Sequence, residues 1–501
     1  MFWNKYKQLV KRTTDRQPDD TNLANPKMKQ TITKEEIKKS LANIDDFVFK
    51  EITIEDKKIT IIYLSTLVTS TTLQEIVLQP LEDTSTADPE DIFKNYEVLE
   101  KDQLPKLIHD VVSGYTVLLF EDDEVYIEID TFSAPARSIT PPENETTVVG
   151  PQDSFVESLD TNLSLIKRRI RSPQLKTKSM LLGTETKNDV AILYMENIAN
   201  DENVRRVIRR IENIEFHGFI GLPVLKQMLE DKPFSPFPQF GMTVRPDNAV
   251  FELLNGKVLF IVNGSPEAAI LPVTFLELFF SPEDYYNRWT TTTMLRTLRL
   301  AGFFISIFLT STYVSILSFH PEMLPPHLLT ILAESRSQVP FPPMIEVLII
   351  ELVIEVLREA GARMPTKIGQ TIGIVGGIVI GTAAVEAGLA SNILIVLVAV
   401  TALLSFIPPN FLMSNAIRFI RYSYILAAGM LGMFGQMIVL AWMFNHLSNL
   451  TSLGSPFMSP IIPRKWSDLL NSVLRAPIQF FAKRPGISRA KKDLIRPLDE
   501  E

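Results

Sequence analysis

From Leu300 to Phe444, long apolar runs follow one another with few charges between them, whereas the sequence before about Leu298 is charged and mixed in character. A water-soluble part is therefore followed by a membrane part. Five apolar segments stand out: Leu300 to Phe319, Met344 to Leu357, Ile368 to Leu389, Ile393 to Ile407 and Tyr422 to Phe444. Crossing hydrocarbon takes roughly 20 residues of helix. By that measure the first, third and fifth segments span and the fourth is short. The second spans only where its glutamate-bearing turns are sheltered by protein or water. Five spans from a cytoplasmic amino end leave the carboxyl tail outside. That tail, however, carries Arg464, Lys465, Arg475, Lys483, Arg484, Arg489, Lys491, Lys492 and Arg496, which favour the inside. Four to six spans are expected, with a re-entrant segment or an even number resolving the parity.

The opening stretch MFWNKYKQLVKRTTDR is basic and polar, without the apolar core of a signal peptide, so the N-terminal region is expected in the cytoplasm. The sequence has no cysteine, which excludes disulfides, thiolate metal sites and cysteine nucleophiles. A net charge of −8 gives no reason to expect nucleic acid.

Before the membrane part, EEIKKSLANI reads as a helix, FVFKEITIE and KKITIIYL as strands and TTLQEIVLQPL as a helix. TVLLF and EVYIEI form a strand pair around the acidic turn EDDE. The Pro-, Ser- and Thr-rich SAPARSITPPENETTVVGPQDS then marks a lobe boundary. In a second lobe, FVESLDTNLSLIKRRI and DENVRRVIRRIENI read as helices, the latter with Asp201 as a cap, and KNDVAILYM as a strand. GKVLFIVNGSPEAAILPVTF reads as a hairpin turning at Asn263-Gly264. The fold class is thus an α/β two-lobe soluble N-terminal region followed by an all-α polytopic membrane domain. The expected division is a flexible tail over 1–32, a first α/β lobe over 33–135, a connector and second α/β lobe over 136–298, transmembrane helices over 299–446, and a C-terminal loop with a basic amphipathic tail over 447–501.

The segment MIEVLIIELVIEVLREAGARMP places Glu346, Glu351, Glu355 and Glu359 among Ile, Leu and Val. At about 100° per residue, Glu351, Glu355 and Glu359 share one helix stripe with Arg358 beside it, and Glu346 is offset by about 140°. A charge at mid-membrane costs at least about 2.5 kcal/mol, so such a stripe faces water, a partner helix or counter-charges. Two readings stand: a helix lining an aqueous or ion-conducting path, or a structural stripe paired with Arg358, Arg363 or a partner subunit. Behind it, Gly369, Gly373, Gly377 and Gly381 fall four residues apart, three overlapping GxxxG steps suited to close helix packing within the chain or between subunits. No HExxH, GxSxG, P-loop or GxGxxG pattern is present, so no enzyme activity and no cofactor is expected. His109, His217, His320, His327 and His446 lack metal-ligand spacing and read as surface or packing residues, with no metal site. The run IKRRIR reads as a solvated face or an intramolecular partner for the acidic first lobe.

Several of these stretches together resemble the A-subunit family of bacterial spore germination receptors, the GerA family. They are GPQDSFVESLDTNLSLIKRRI, PFPQFGMTVRPDNAV, GKVLFIVNGSP, LPVTFLELFFSPEDYY, the run VPFPPMIEVLIIELVIEVLREAGARMPTKIGQTIGIVGGIVIG, and GSPFMSPIIP. The resemblance covers about residues 35 to 480. It departs at Asn263, where the family commonly has Asp, and at Phe457, where it has Tyr, which puts only local hydrogen bonds in doubt. It implies a subunit of a nutrient-sensing complex in the spore inner membrane, with a transporter-like B subunit and a lipid-anchored C subunit as partners. It also implies that such subunits oligomerise into a gated ion channel. In that setting the glutamates form carboxylate rings that attract cations. A transporter or a scaffold without its own pore is the rival reading.

Overall fold

The computed structural model describes residues 33–54, 57–83, 97–100, 104–120, 125–133, 145–363, 377, 379, 381–463, 468, 472–475, 477 and 484–492. The expected tail over 1–32, the turn EDDE and the glycines Gly369 and Gly373 lie outside the described residues. The chain forms two units. One takes residues up to Leu229, Met242–Pro272 and the tail from Pro477, and the other takes Glu230–Gly241 and Val273–Ala476.

In the first unit, β1 (Phe47–Ile54), β2 (Lys57–Leu64), β3 (Glu97–Glu100), β4 (Tyr115–Phe120) and β5 (Val125–Asp130) form an antiparallel sheet in the order β1-β2-β4-β5-β3. Side chains alternate between the faces of a strand, so the apolar runs of β2 and β4 feed two cores at once. Ile62, Leu64, Val117, Leu119 and Tyr126 meet α1 (Lys34–Ser40) and α3 (Leu104–Ser113) on one face. Ile59, Ile61, Leu118, Phe120 and Ile127 meet Leu73, Val77 and Leu81 on the other. Those three belong to α2, a helical run through Ser70–Leu73, a π turn at Gln74–Leu78, and Gln79–Asp83. Burial on both faces is why these strands read as near-continuous apolar runs.

A second five-stranded sheet comprises β6 (Leu175–Leu182), β7 (Asn188–Met195), β8 (Gly241–Thr243), β9 (Val258–Val262) and β10 (Ala268–Leu271), in the order β6-β7-β9-β10-β8. One face packs on α4 (Leu159–Lys167) and, beyond α5 (Asp201–Glu212) and α6 (Leu222–Leu229), on α7 (Pro246–Leu254). The expected hairpin is the antiparallel pair β9 and β10, though residues 263–267 connect them in place of a two-residue turn. Asn263 Oδ1 accepts from the Leu159 amide at 3.2 Å, a bond an aspartate would also accept. The cap of α5 differs from expectation. Asn200, in extended conformation, accepts from the Glu202 amide at 2.8 Å and the Asn203 amide at 3.4 Å, and Asp201 is the first helical residue.

The two lobes are joined. Ile44 bridges Thr177 in parallel, and Asp45 Oδ2 accepts from the Ser179 amide at 2.6 Å. Of the IKRRIR run, Lys167 is buried in an ion pair with Asp46 of the first lobe, the intramolecular partnership anticipated for it. The tail returns to the second lobe, where Ala490 enters the core, the Lys491 amide donates to Ile198 O at 2.8 Å and Asp201 pairs with Lys491.

The second unit is helical, with α8 (Trp289–Phe319), α9 (Pro326–Ser335), α10 (Pro343–Arg363), α11 (Asn392–Ser405) and α12 (Phe411–Ser448). Of the described helices, α8 is long and apolar enough to cross a membrane, and α12 reaches that length as a 38-residue run interrupted at Gly432. The expected single span over Tyr422–Phe444 is corrected, because α12 folds back on itself. Gly432 sits at φ +62°, ψ −143°, and Tyr424 Oη donates to Met443 Sδ at 3.8 Å across nineteen residues. On a straight helix those residues would stand about 28 Å apart. Residues 411–431 and 433–448 are thus the arms of a helical hairpin. Phe237, Phe275, Phe279, Phe303 and buried Phe457 pack edge to face at its open end.

Candidate functional site

The glutamates of α10 face arginines along its length. At its start, fully buried Glu346 accepts from Arg336 Nε at 3.0 Å and from the Ser391 amide at 2.8 Å. Ser391 caps α11 through the Leu394 amide, and its hydroxyl lies 3.1 Å from Tyr313 Oη of α8. This network gathers the ends of α9, α10 and α11.

Glu351 and Arg421 approach to 2.8 Å with side chains 0% and 1% exposed. Their alignment is poor. Both Glu351 oxygens and the Arg421 Nε and Nη1 atoms lack a hydrogen-bond partner. One helical turn on, Glu355 accepts from Arg418 Nη1 at 3.1 Å and also pairs with Arg358. Arg418 and Arg421, three apart, project from the same side of the 411–431 arm, so the α10 stripe and this arm run antiparallel. Met344 lies against Gly429, where an added methyl group would run into Met344 Sδ. Glu359 pairs with Arg363 on the exposed end of α10, at 2.8 Å from its Nε.

Arg336, Arg418 and Arg421 were not apparent as site residues in the sequence. Arg418 and Arg421 fall just before the segment expected to begin at Tyr422, so a hydropathy boundary set them outside the span. The usable signal was the three-residue spacing of two arginines in an otherwise apolar run, opposite four glutamates that need counter-charges.

Of the glycine ladder, Gly377 is open: a methyl group in place of its α-hydrogen would find no atom within 4 Å. At Gly381 such a group would meet only Ile395 Cγ2, at 3.9 Å. His446 packs between Trp442 and Phe237 and shares a 2.9 Å hydrogen bond with Ser235. Among the described residues no group of His, Asp or Glu is arranged to hold a metal ion.

Residues 35–487 match the family described as Bacillus/Clostridium GerA spore germination protein. The chain belongs to the GerA family. Spore germination protein GerQA of Bacillus cereus is 39% identical over 89% of this chain and 90% of its own length. Spore germination protein KA of Bacillus subtilis (strain 168) is 35% identical over 95% of this chain and 89% of its own. The crystal structure of the N-terminal domain of the A subunit of the Bacillus megaterium spore germinant receptor GerK3 aligns with 50% of this chain and 99% of that domain, at 25% identity and a TM-score of 0.38. GerA-family membership carries a role in spore germination, with two β-sheet lobes preceding a helical region.

Proposed function

We propose that this GerA-family chain is the A subunit of a nutrient germinant receptor in the spore inner membrane, and that copies of it assemble into a germinant-gated cation channel. Its N-terminal unit faces the cytoplasm, and a transporter-like B subunit and a lipoprotein C subunit complete the receptor. The observation that carries the reading is Glu351, a carboxylate fully buried midway along an apolar helix of the helical unit. Ionisable groups at such depth are costly, face a partner or water, and are found on substrate and ion pathways. Repeating α10 around an oligomer axis would turn Glu351 and Glu355 into rings that raise the local cation concentration.

A second reading is favoured by the arginines. Each α10 glutamate has a partner in its own chain, as a charge stripe holding helices together without a pore would require. Potassium flux from vesicles holding the purified full receptor separates the two. The channel reading expects germinant-dependent flux that Glu351→Gln and Glu355→Gln slow while subunit levels hold. Silence of the parental receptor, or flux indifferent to both changes, favours the scaffold.

A further inference from the structure

We infer that Arg418 and Arg421 are positioning residues of the conduction path, holding the α10 carboxylates away from cations until the 411–431 arm and α10 shift against one another. The inference rests on the channel reading. Three observations support it. First, the pairs are Glu351 with Arg421 and Glu355 with Arg418, the first wholly buried and the second reinforced by Arg358. Two carboxylates therefore face three guanidinium groups, a net positive charge that repels cations in this state. Second, the pairing is incomplete. Arg421 keeps Nε and Nη1 unpartnered, Arg358 likewise, and neither Glu351 oxygen makes an aligned hydrogen bond. A buried ion pair offsets its desolvation only when its remaining donors and acceptors are satisfied, so this arrangement is held under cost and is a suitable element to exchange for another.

Third, the two pairs are spaced about one helical turn apart on antiparallel helices. Sliding α10 by one turn, about 5.4 Å, brings Glu355 level with Arg421 and leaves Glu351 without a counter-charge. Glu355 then pairs with Arg421, Glu359 of the same stripe comes level with Arg418, and Glu351 alone is released from its counter-charge to face a permeating cation. Gly429 lies on the track of such a slide, where Met344 already packs against its bare α-carbon. Gly432 ends the moving arm, so the hairpin's second arm need not follow it.

The test uses spores carrying the full receptor, with potassium release measured before and after germinant and subunit abundance followed by immunoblot. Arg421→Gln is expected to accumulate normally and to leak potassium severalfold faster than the parent without germinant. The double variant Glu351→Gln with Arg421→Gln, lacking a carboxylate to expose, is expected to return the germinant-free leak to the parental rate. Arg421→Lys keeps the charge and is expected to stay quiet. A silent Arg421→Gln at normal abundance overturns the inference. So does loss of the Arg421→Gln subunit that the double variant restores without any leak, since the pair then only supports folding. If the purified parental receptor passes no potassium in vesicles with germinant present, the channel reading itself fails. Parental flux that Arg421→Gln and Arg418→Gln leave unchanged defeats only the gate.

Discussion

Arg245 shows how one side chain can tie a connector to a lobe. Fully buried, it donates to both oxygens of Asp247 at 3.0 and 2.8 Å, to Thr147 Oγ1 at 2.8 Å and to Pro151 O at 2.6 Å, so that the later part of the lobe boundary is pinned against the start of α7. Beside it, Glu145 accepts from Thr243 Oγ1 at 2.7 Å and from the Val244 amide at 3.2 Å. Burial outweighs these bonds and pushes its carboxyl up to about 7. A carboxyl raised in the folded state binds a proton there that the unfolded chain has already released. Its contribution to stability is therefore greatest below the ordinary carboxylate range and declines as pH rises through about 7. Hydrogen exchange over residues 145–151 and 243–247 of the full chain, corrected for intrinsic rates, is expected to quicken between about pH 5 and pH 8. Glu145→Gln, which keeps the acceptor and cannot ionise, is expected to flatten that response. An unchanged slope in the variant would assign the pH dependence to other groups.

Among the elements, the α12 hairpin depends on one glycine. Gly432 adopts a backbone conformation that side chains rarely tolerate, and a methyl group there would also meet His320 Nε2 at 2.9 Å and Phe319 Cβ at 3.0 Å. Gly432→Ala is expected to cost about 1–3 kcal/mol and to lower recovery of the folded subunit. Gly361→Ala, on α10 with nothing within 4 Å, is expected to be neutral or to stabilise by up to about 1 kcal/mol. Equal recovery of the two would mean that the fold-back is not needed. Of the two described ladder glycines, Gly377 is the more open within its own chain and so the better placed to meet a second subunit. Gly377→Leu is therefore expected to weaken assembly far more than Val379→Leu, as read by complex recovery after gentle solubilisation. These elements also show what was legible in the sequence. The strands declared themselves because burial on both faces writes near-continuous apolar runs into β2, β4, β7 and β9. The glutamate stripe was visible because charge in an apolar helix is rare. The hairpin was not, since a hydropathy window sums residues and is blind to the sign of φ at one glycine among Gly429, Gly432 and Gly435. The arginine partners were missed for a related reason: which helix faces α10 is a tertiary fact.

At the scale of the whole molecule, the fold-back changes the parity of the helical unit. Where the chain enters it, Thr293 exchanges hydrogen bonds with the Arg475 backbone, and the Val273 amide donates to Ser452 Oγ at 3.0 Å. The start of α8 and the stretch after α12 thus lie together, while Phe319 and His320 lie beside Gly432 at the opposite end. A helical unit that the chain enters and leaves at one end is expected to make an even number of passes, the parity that the positive-inside preference of the basic tail also favours. The absence of cysteine makes this directly measurable, because each introduced thiol reports without background. Thr290→Cys and Ser448→Cys, both exposed, are expected to react alike with a membrane-impermeant maleimide in sealed vesicles of known orientation. His327→Cys and Leu431→Cys are expected to react from the other face. Labelling of Thr290→Cys and Ser448→Cys from opposite faces would require an odd number of passes, and α12 would then cross as a single span.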